Sequence, residues 1–106
     1  MTEKRQFERA EFDGDVQIVA GGKRFIGRVH DLSVGGAYIV CSEKLSFGTP
    51  VKLTLRLPAI AEKGARTLGG LVRWVRDDGF GVQFGPTGAL DTFALADYVA
   101  RKNLQL

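Results

Sequence analysis

Hydrophobic and polar residues alternate along much of this chain in a way that predicts short β-strands. The clearest case is Val51–Leu57, where apolar residues fill every second position and Lys52, Thr54 and Arg56 lie between them. A period of two without exception predicts a strand with one buried face.

Five further segments predict strands, and turn-forming residues separate them: Val16–Ala20, Lys23–His30, Ala37–Cys41, Thr67–Val75 and Phe80–Phe84. Gly21-Gly22 predicts a two-residue hairpin turn. A second hairpin is predicted at Arg76-Asp77-Asp78-Gly79, which joins the last two strands.

The end of the chain predicts one helix, from Leu90 to Lys102, with Thr87 or Asp91 as its cap. Its apolar residues spread around much of the helix, and the best single stripe is Leu90, Phe93, Ala96 and Ala100. Six short strands followed by a helix predict an all-β fold with a terminal helix. We expect a small six-stranded antiparallel β-barrel, because closure removes the exposed edges of a sheet.

The length of 106 residues predicts one domain. Residues 1–12 are mostly polar and charged, and we expect a flexible leader there. Asp13-Gly14-Asp15 is typical of a turn, so the barrel and its helix are expected to occupy residues 13–106.

Charge and cysteine content narrow the function only a little. The net charge of +3 and the pI of about 9.3 fit an anionic partner without identifying it. Cys41 is the only cysteine, so no disulfide can form within the chain, and its apolar surroundings predict a core residue. No segment resembles a signal peptide or a membrane span, which predicts a soluble cytoplasmic domain with no membrane insertion.

The sequence does not favour an enzyme. His30 is the only histidine, and no nucleophile is evidently placed beside the His30-Asp31 pair. One histidine and one cysteine are too few for a typical metal site, so we expect neither a metal nor a cofactor. Trp74 could stack on a base, but a lone tryptophan in a small barrel more often belongs to the core, which is the interpretation we favour.

Two short motifs carry the candidate chemistry. In Asp31-Leu32-Ser33-Val34-Gly35-Gly36, Asp31 and Ser33 should point to the same side of an extended segment, with Leu32 turned inward. The pair could read a ligand, or it could simply cap its own backbone in a turn. Upstream, Arg5 and Arg9 lie four residues apart. Guanidinium groups suit an anionic ligand with aromatic bases, although a solvated charged tail is the alternative.

Together the two motifs resemble the PilZ domain, a bacterial receptor for cyclic di-GMP. The family pattern is Arg-x-x-x-Arg, a short hairpin, and then [Asp/Asn]-x-Ser-x-x-Gly, and every position is filled here. The resemblance continues through Gly70–Val75 and Gly79–Phe84. It implies a six-stranded barrel with a C-terminal helix, in agreement with the strand pattern.

The resemblance also implies roles for individual residues. Arg5 and Arg9 would hold phosphate and guanine edges, Asp31 and Ser33 would read a guanine, and Gly36 would allow close approach of the backbone. Further candidates for the ligand site are Lys4, His30 and Gly35.

The sequence thus predicts a stand-alone cyclic di-GMP receptor that signals to an unknown partner protein through an N-terminal segment that becomes ordered. The family's usual processes are motility, adhesion and polysaccharide export, and with them biofilm formation. Two alternatives remain: a PilZ-like protein-interaction adaptor that acts without nucleotide, and a small RNA-binding barrel. A nucleic-acid module would have several exposed aromatic residues among basic ones, whereas Phe80 and Phe84 are predicted to be buried.

Overall fold

The computed structural model describes residues 9–56, 65–86 and 88–103 of the chain. These residues form six strands and one helix: β1 Arg9–Ala20, β2 Lys23–Ser33, β3 Gly36–Val40, β4 Pro50–Arg56, β5 Ala65–Val75, β6 Gly79–Phe84 and α1 Ala89–Asn103. The strands close into an antiparallel barrel in the order β1-β2-β3-β6-β5-β4. The predicted fold class is confirmed.

The core fills the barrel with side chains from alternate strand positions. In β4, Val51, Leu53 and Leu55 are buried while the residues between them face outward. The largest fully buried side chains include Phe80 of β6 and Leu95 of α1, so the helix contributes to the same core. Cys41 is also buried in this cluster, as predicted.

The predicted hairpins form where the turn residues allow them. Gly21 and Gly22 both have positive φ, 59° and 79°, which is the conformation that a type I′ hairpin turn requires at its two central residues. At the other hairpin, the Arg76 amide donates to the Gly79 carbonyl at 2.9 Å.

Strand β1 begins at Arg9, so two predictions about the start of the chain are wrong. Residues 9–12 belong to the barrel rather than to a leader, and Asp13-Gly14-Asp15 lies within the strand rather than in a turn. The strand bulges there, because the register against β2 shifts between Glu11 and Gly14. Ala10 and Phe12 are both buried, which gives this end of the strand an apolar contact. Residues 1–8 lie outside the described part, and their flexibility stays a prediction.

The helix buries a different face from the predicted stripe. Ala94, Leu95 and Val99 are buried, whereas Phe93 is 62% exposed. Ala96 and Ala100 are also exposed, and the side chain of Leu90, the fourth residue of the stripe, lies outside the described part. The same side of the helix carries the partly buried Asp91, which forms an ion pair with Arg66 of β5 at 2.6 Å. The predicted stripe was chosen from apolar residues alone, so the side of the helix that carries the charged Asp91 was not selected.

Asp91 lies inside the first turn of α1 and not at the cap, and the Gly88 carbonyl accepts the first helical bond, from Thr92, at 3.0 Å. Thr87, the other predicted cap, lies outside the described residues. Within the described part of the chain, no helix is long and apolar enough to span a membrane.

Candidate functional site

The pairing of β1 with β2 brings the two sequence motifs together. Arg9 is opposite Ser33 in the ladder, and Glu11 is opposite Asp31. The Arg9 guanidinium donates from Nη1 to Oδ1 of Asp31, and the two side chains are 27% and 22% exposed. One arginine of the first motif therefore contacts the acid of the second. Arg5 and Lys4 lie outside the described residues, so their placement stays a prediction.

Asp31 makes a second contact through its other oxygen. His30 Nδ1 lies 3.2 Å from Asp31 Oδ2, and the His30 side chain is 65% exposed. The edge of the His30 ring also faces Tyr38, with the ring centroids 6.3 Å apart. His30 is thus placed beside Asp31 on the outside of the barrel.

Ser33 and the glycines shape the turn between β2 and β3. The Ser33 hydroxyl accepts from the Gly35 and Gly36 amides, both at 3.1 Å, and lies 3.3 Å from the Gly36 carbonyl, to which it donates. Ser33 is only 3% exposed, and Leu32 is fully buried, as predicted. The interpretation in which the pair caps its own backbone therefore applies to Ser33 but not to Asp31, whose carboxylate contacts side chains.

Gly36 is required by strand packing. A Cβ placed there would lie 2.1 Å from the Val82 carbonyl oxygen of β6. Gly35 helps to hold the same junction, because its carbonyl accepts from the Phe84 amide at 2.8 Å. The packing of β3 against β6 therefore explains why the motif needs a glycine at this position, whether or not a ligand binds.

Tyr38 is a site residue that the sequence analysis missed. It faces outward from β3 opposite Asp31, between the buried residues Ala37 and Ile39. Its hydroxyl donates to Asp78 Oδ1 at 2.6 Å, and the Arg76 guanidinium carbon lies 5.8 Å from the centre of its ring. Burial raises the pKa of Tyr38 most, and the bond to Asp78 adds to this effect. The pKa reaches about 12, so the hydroxyl stays a neutral donor near neutral pH. The sequence offered one signal for this position: in β3, Tyr38 lies between the apolar residues Ala37 and Ile39, and this alternation predicts an outward-facing side chain.

Trp74 lies on the surface, which corrects its predicted place in the core. The side chain is 50% exposed. Strict alternation from the buried Val72 would turn Trp74 inward, but the register of β5 against β6 shifts between these two residues. The bulge leaves Arg73 and Trp74 both exposed. The indole ring lies over Gly81, where a Cβ would come within 2.5 Å of the ring atom Cε3.

These residues form a continuous row across four neighbouring strands. Asp31 pairs with Tyr38, Tyr38 with Gly81, and Gly81 with Trp74. With Arg9 at its start, we call this row the outer strip: Arg9, Asp31, Tyr38, Gly81 and Trp74. It presents a cation and an acid at one end and two aromatic side chains on either side of a glycine.

Comparison with known families identifies the family of this domain. The sequence pattern of the PilZ domain matches residues 3–101. The chain belongs to the PilZ domain family. Arg9 and Asp31, one residue from each of the two motifs that resemble the family pattern, meet at the start of the outer strip.

Solved structures similar to this PilZ domain include several with stated ligands or roles. The Bacillus subtilis inhibitor of motility MotI/DgrA is 26% identical, with a TM-score of 0.73 over 97% of this chain and 53% of its own. This chain thus spans about half the length of that protein. The PilZ domain of Escherichia coli YcgR, solved with c-di-GMP, is 12% identical, with a TM-score of 0.75 over 95% of this chain and 92% of its own. A comparison with curated protein sequences finds no match.

The C-terminal helix of this PilZ domain anchors the strand that carries Arg9. The Tyr98 hydroxyl donates to the Glu11 carbonyl at 2.6 Å, and its ring meets Phe12 edge-on at a centroid distance of 5.3 Å. Asn103 Nδ2 lies 3.4 Å from the Arg9 carbonyl, to which it donates. Burial raises the pKa of Tyr98 most, and the negative charge of the nearby Glu11 raises it further, which keeps the hydroxyl protonated as a donor. The backbone of Arg9 is therefore held in place by the domain itself.

Proposed function

We propose that this PilZ domain is a receptor for cyclic di-GMP. The observation that carries the proposal is the outer strip, which sets Arg9 and Asp31 from the two family motifs in contact and continues to Tyr38 and Trp74. It is further supported by the complete motifs and by the likeness to the YcgR domain that was solved with the nucleotide.

The chemistry of the strip complements a guanine nucleotide. Guanine offers O6 and N7 as acceptors on one edge, which an arginine can bind with two donors. The N1 and N2 donors on its other edge need an acceptor, which Asp31 supplies. An ionised carboxylate has about four acceptor positions, so Asp31 can keep Arg9 and still accept from a base. The rings of Tyr38 and Trp74 provide flat surfaces for stacking, and the absence of a side chain at Gly81 leaves room for the indole ring between the strands.

Residues 1–8 would complete the site in this proposal. Arg5, and Lys4 beside it, would add donors for the phosphates, and the segment would become ordered over the ligand. Ordering costs roughly 1–2 kcal/mol per residue, whereas a hydrogen bond to a charged group contributes roughly 1.5–3 kcal/mol, so only the residues near Arg5 should become fixed. A partner protein could then read the new surface. Loss of backbone mobility near Arg5 on ligand addition, measured by NMR relaxation, would support this step, and unchanged mobility would exclude it.

We propose a binding role in the cytoplasm and no catalytic one. The side chains of the strip are donors, acceptors and stacking surfaces, and all of them suit recognition. Among the family's processes, control of motility is supported by the similarity to a motility inhibitor.

Calorimetric titration with cyclic di-GMP tests the proposal, with GTP and a short RNA titrated separately as controls. We expect saturable binding of cyclic di-GMP only. Arg9→Ala should abolish it. Arg24→Ala is the matched control, because Arg24 is an exposed arginine of β2 at the opposite end of the strand, beside the Gly21-Gly22 turn. Equal affinity of both variants would refute the assignment of Arg9 to the site.

A second candidate is a protein-interaction adaptor that acts without nucleotide. It is favoured by the state of Ser33, whose hydroxyl already bonds to the backbone at three points and is nearly inaccessible. The same titration separates the two candidates, because an adaptor of this kind would show no cyclic di-GMP binding while remaining folded.

A further inference from the structure

An exposed surface that mixes aromatic, aliphatic and basic side chains lies next to the outer strip. Phe47 is 67% exposed and Leu71 is 42% exposed, and the Arg73 guanidinium carbon lies 5.5 Å from the centre of the Phe47 ring. We call Phe47, Leu71 and Arg73 the β5 patch. None of them belongs to a cyclic di-GMP motif.

The patch is held together by the backbone. The loop before β4 pairs with β5, because the Gly48 amide donates to the Val72 carbonyl at 2.7 Å and the Val72 amide donates to the Thr49 carbonyl at 3.0 Å. This pairing sets Phe47 beside Arg73. The contact between the guanidinium and the ring restricts both side chains in advance, which reduces the entropy lost on binding.

The positive charges at the patch have no ion-pair partner among the described residues. Arg73 forms no ion pair with any described residue, and neither does Lys52. Lys52 is diagonal to Leu71 on the outer face, since it pairs with Gly69 while Leu71 pairs with Pro50. Two cations thus flank exposed apolar side chains, and no carboxylate of the described residues forms an ion pair with either of them.

We propose that the β5 patch docks an acidic, leucine-rich segment of a partner protein. Aromatic residues and arginine are enriched at the energetic centres of protein interfaces, and apolar patches rimmed by charge mark such sites. Acidic side chains would pair with Arg73 and Lys52, and aliphatic ones would cover Phe47 and Leu71. A protein segment fits better than single-stranded nucleic acid, because Arg73 already covers one face of the Phe47 ring and Leu71 offers no stacking surface.

The fluorescence of Trp74 can be used to detect binding at the β5 patch. Trp74 is the only tryptophan, follows Arg73 directly, and is half-exposed. An occupant of the patch should exclude water from the indole ring and shift its fluorescence to shorter wavelength.

The test is a fluorescence titration with a synthetic peptide of alternating glutamate and leucine, without cyclic di-GMP, so the result does not depend on the nucleotide proposal. We expect saturable binding with a blue shift, and none with peptides in which lysine replaces glutamate or serine replaces leucine. Phe47→Ser should weaken binding at least about tenfold. Phe93→Ser, at a similarly exposed phenylalanine on α1, should leave it unchanged.

A charge reversal gives an independent second readout. Arg73→Glu should lose the acidic peptide and gain the lysine–leucine peptide. No binding of the acidic peptide at concentrations up to about 1 mM would overturn the proposal. Equal affinity of the Phe47→Ser variant and the wild type would overturn it too, as would tighter binding of oligothymidylate, which would assign the patch to nucleic acid.

Discussion

Gly36→Ala should destabilise the barrel strongly, although it adds only one methyl group. The new Cβ would lie 2.1 Å from the Val82 carbonyl oxygen, a backbone atom of β6 that cannot rotate away. A carbon and an oxygen in close contact are normally at least about 3.3 Å apart, so β3 must move from β6 by about 1.2 Å.

That displacement breaks hydrogen bonds at the junction. The Phe84 amide donates to the Gly35 carbonyl at 2.8 Å, and a shift of this size would carry the bond beyond hydrogen-bonding range. The ladder between Gly36 and Gln83 would weaken as well. At about 1 kcal/mol for each lost bond, plus strain, we expect the free energy of unfolding to fall by about 2–4 kcal/mol. For a domain of this size the melting temperature should fall by roughly 10–30 °C.

Gly69→Ala is the matched control, measured in the same urea and thermal denaturation experiments. Gly69 also lies in a strand, but the nearest atom to a Cβ there is the Val51 carbonyl oxygen at 4.0 Å, an ordinary contact. Its φ is not positive, so the change should alter stability by no more than about 1 kcal/mol. Similar losses in the two variants would refute the steric reasoning. If Gly36→Ala alone is unstable, its loss of ligand binding is no evidence that Gly36 contacts the ligand.

Three further predictions concern the strip. Asp31→Ala should weaken cyclic di-GMP binding by about 1.5–3 kcal/mol in calorimetry while the domain stays folded, and unchanged affinity would assign Asp31 a structural role only. Cyclic di-GMP should bind more tightly than cyclic di-AMP, because adenine places an amino donor where guanine has O6; comparable affinities would exclude the guanine-edge assignment. Folding raises the pKa of Tyr38 from 10.0 to about 12, so the native state keeps a proton that the unfolded chain loses. The wild type should therefore lose stability relative to Tyr38→Phe as the pH rises from 10 through 12, and a constant difference in denaturation midpoints would contradict this.

Local patterns predicted the fold wherever one physical requirement governed a segment. The alternation in Val51–Leu55 follows from one buried face, and Gly21-Gly22 supplies the positive φ that its hairpin needs. The family resemblance identified the two motifs, and the pairing of β1 with β2 was needed to show that Arg9 touches Asp31.

The predictions failed where distant residues decide the structure. Trp74 was predicted to lie in the core as the lone tryptophan of a small barrel, but a bulge in β5 leaves it exposed, and that register shift depends on the pairing with β6. Asp13-Gly14-Asp15 is typical of a turn, but pairing with β2 makes it part of a strand. The buried face of α1 was missed because Asp91 is neutralised by Arg66, which lies 25 residues away in sequence. None of these partners is visible in the local pattern.

The most direct test of the account is a titration of the wild-type protein with cyclic di-GMP, followed both by calorimetry and by the fluorescence of its single tryptophan. If the outer strip is the binding site, the heat of binding and the change in Trp74 fluorescence should saturate at the same ligand concentration. Arg9→Ala should abolish both signals and Arg24→Ala neither. Binding heat without any response from Trp74, or the same binding by Arg9→Ala as by the wild type, would place the ligand elsewhere. No binding at all to the folded domain would contradict the receptor function itself.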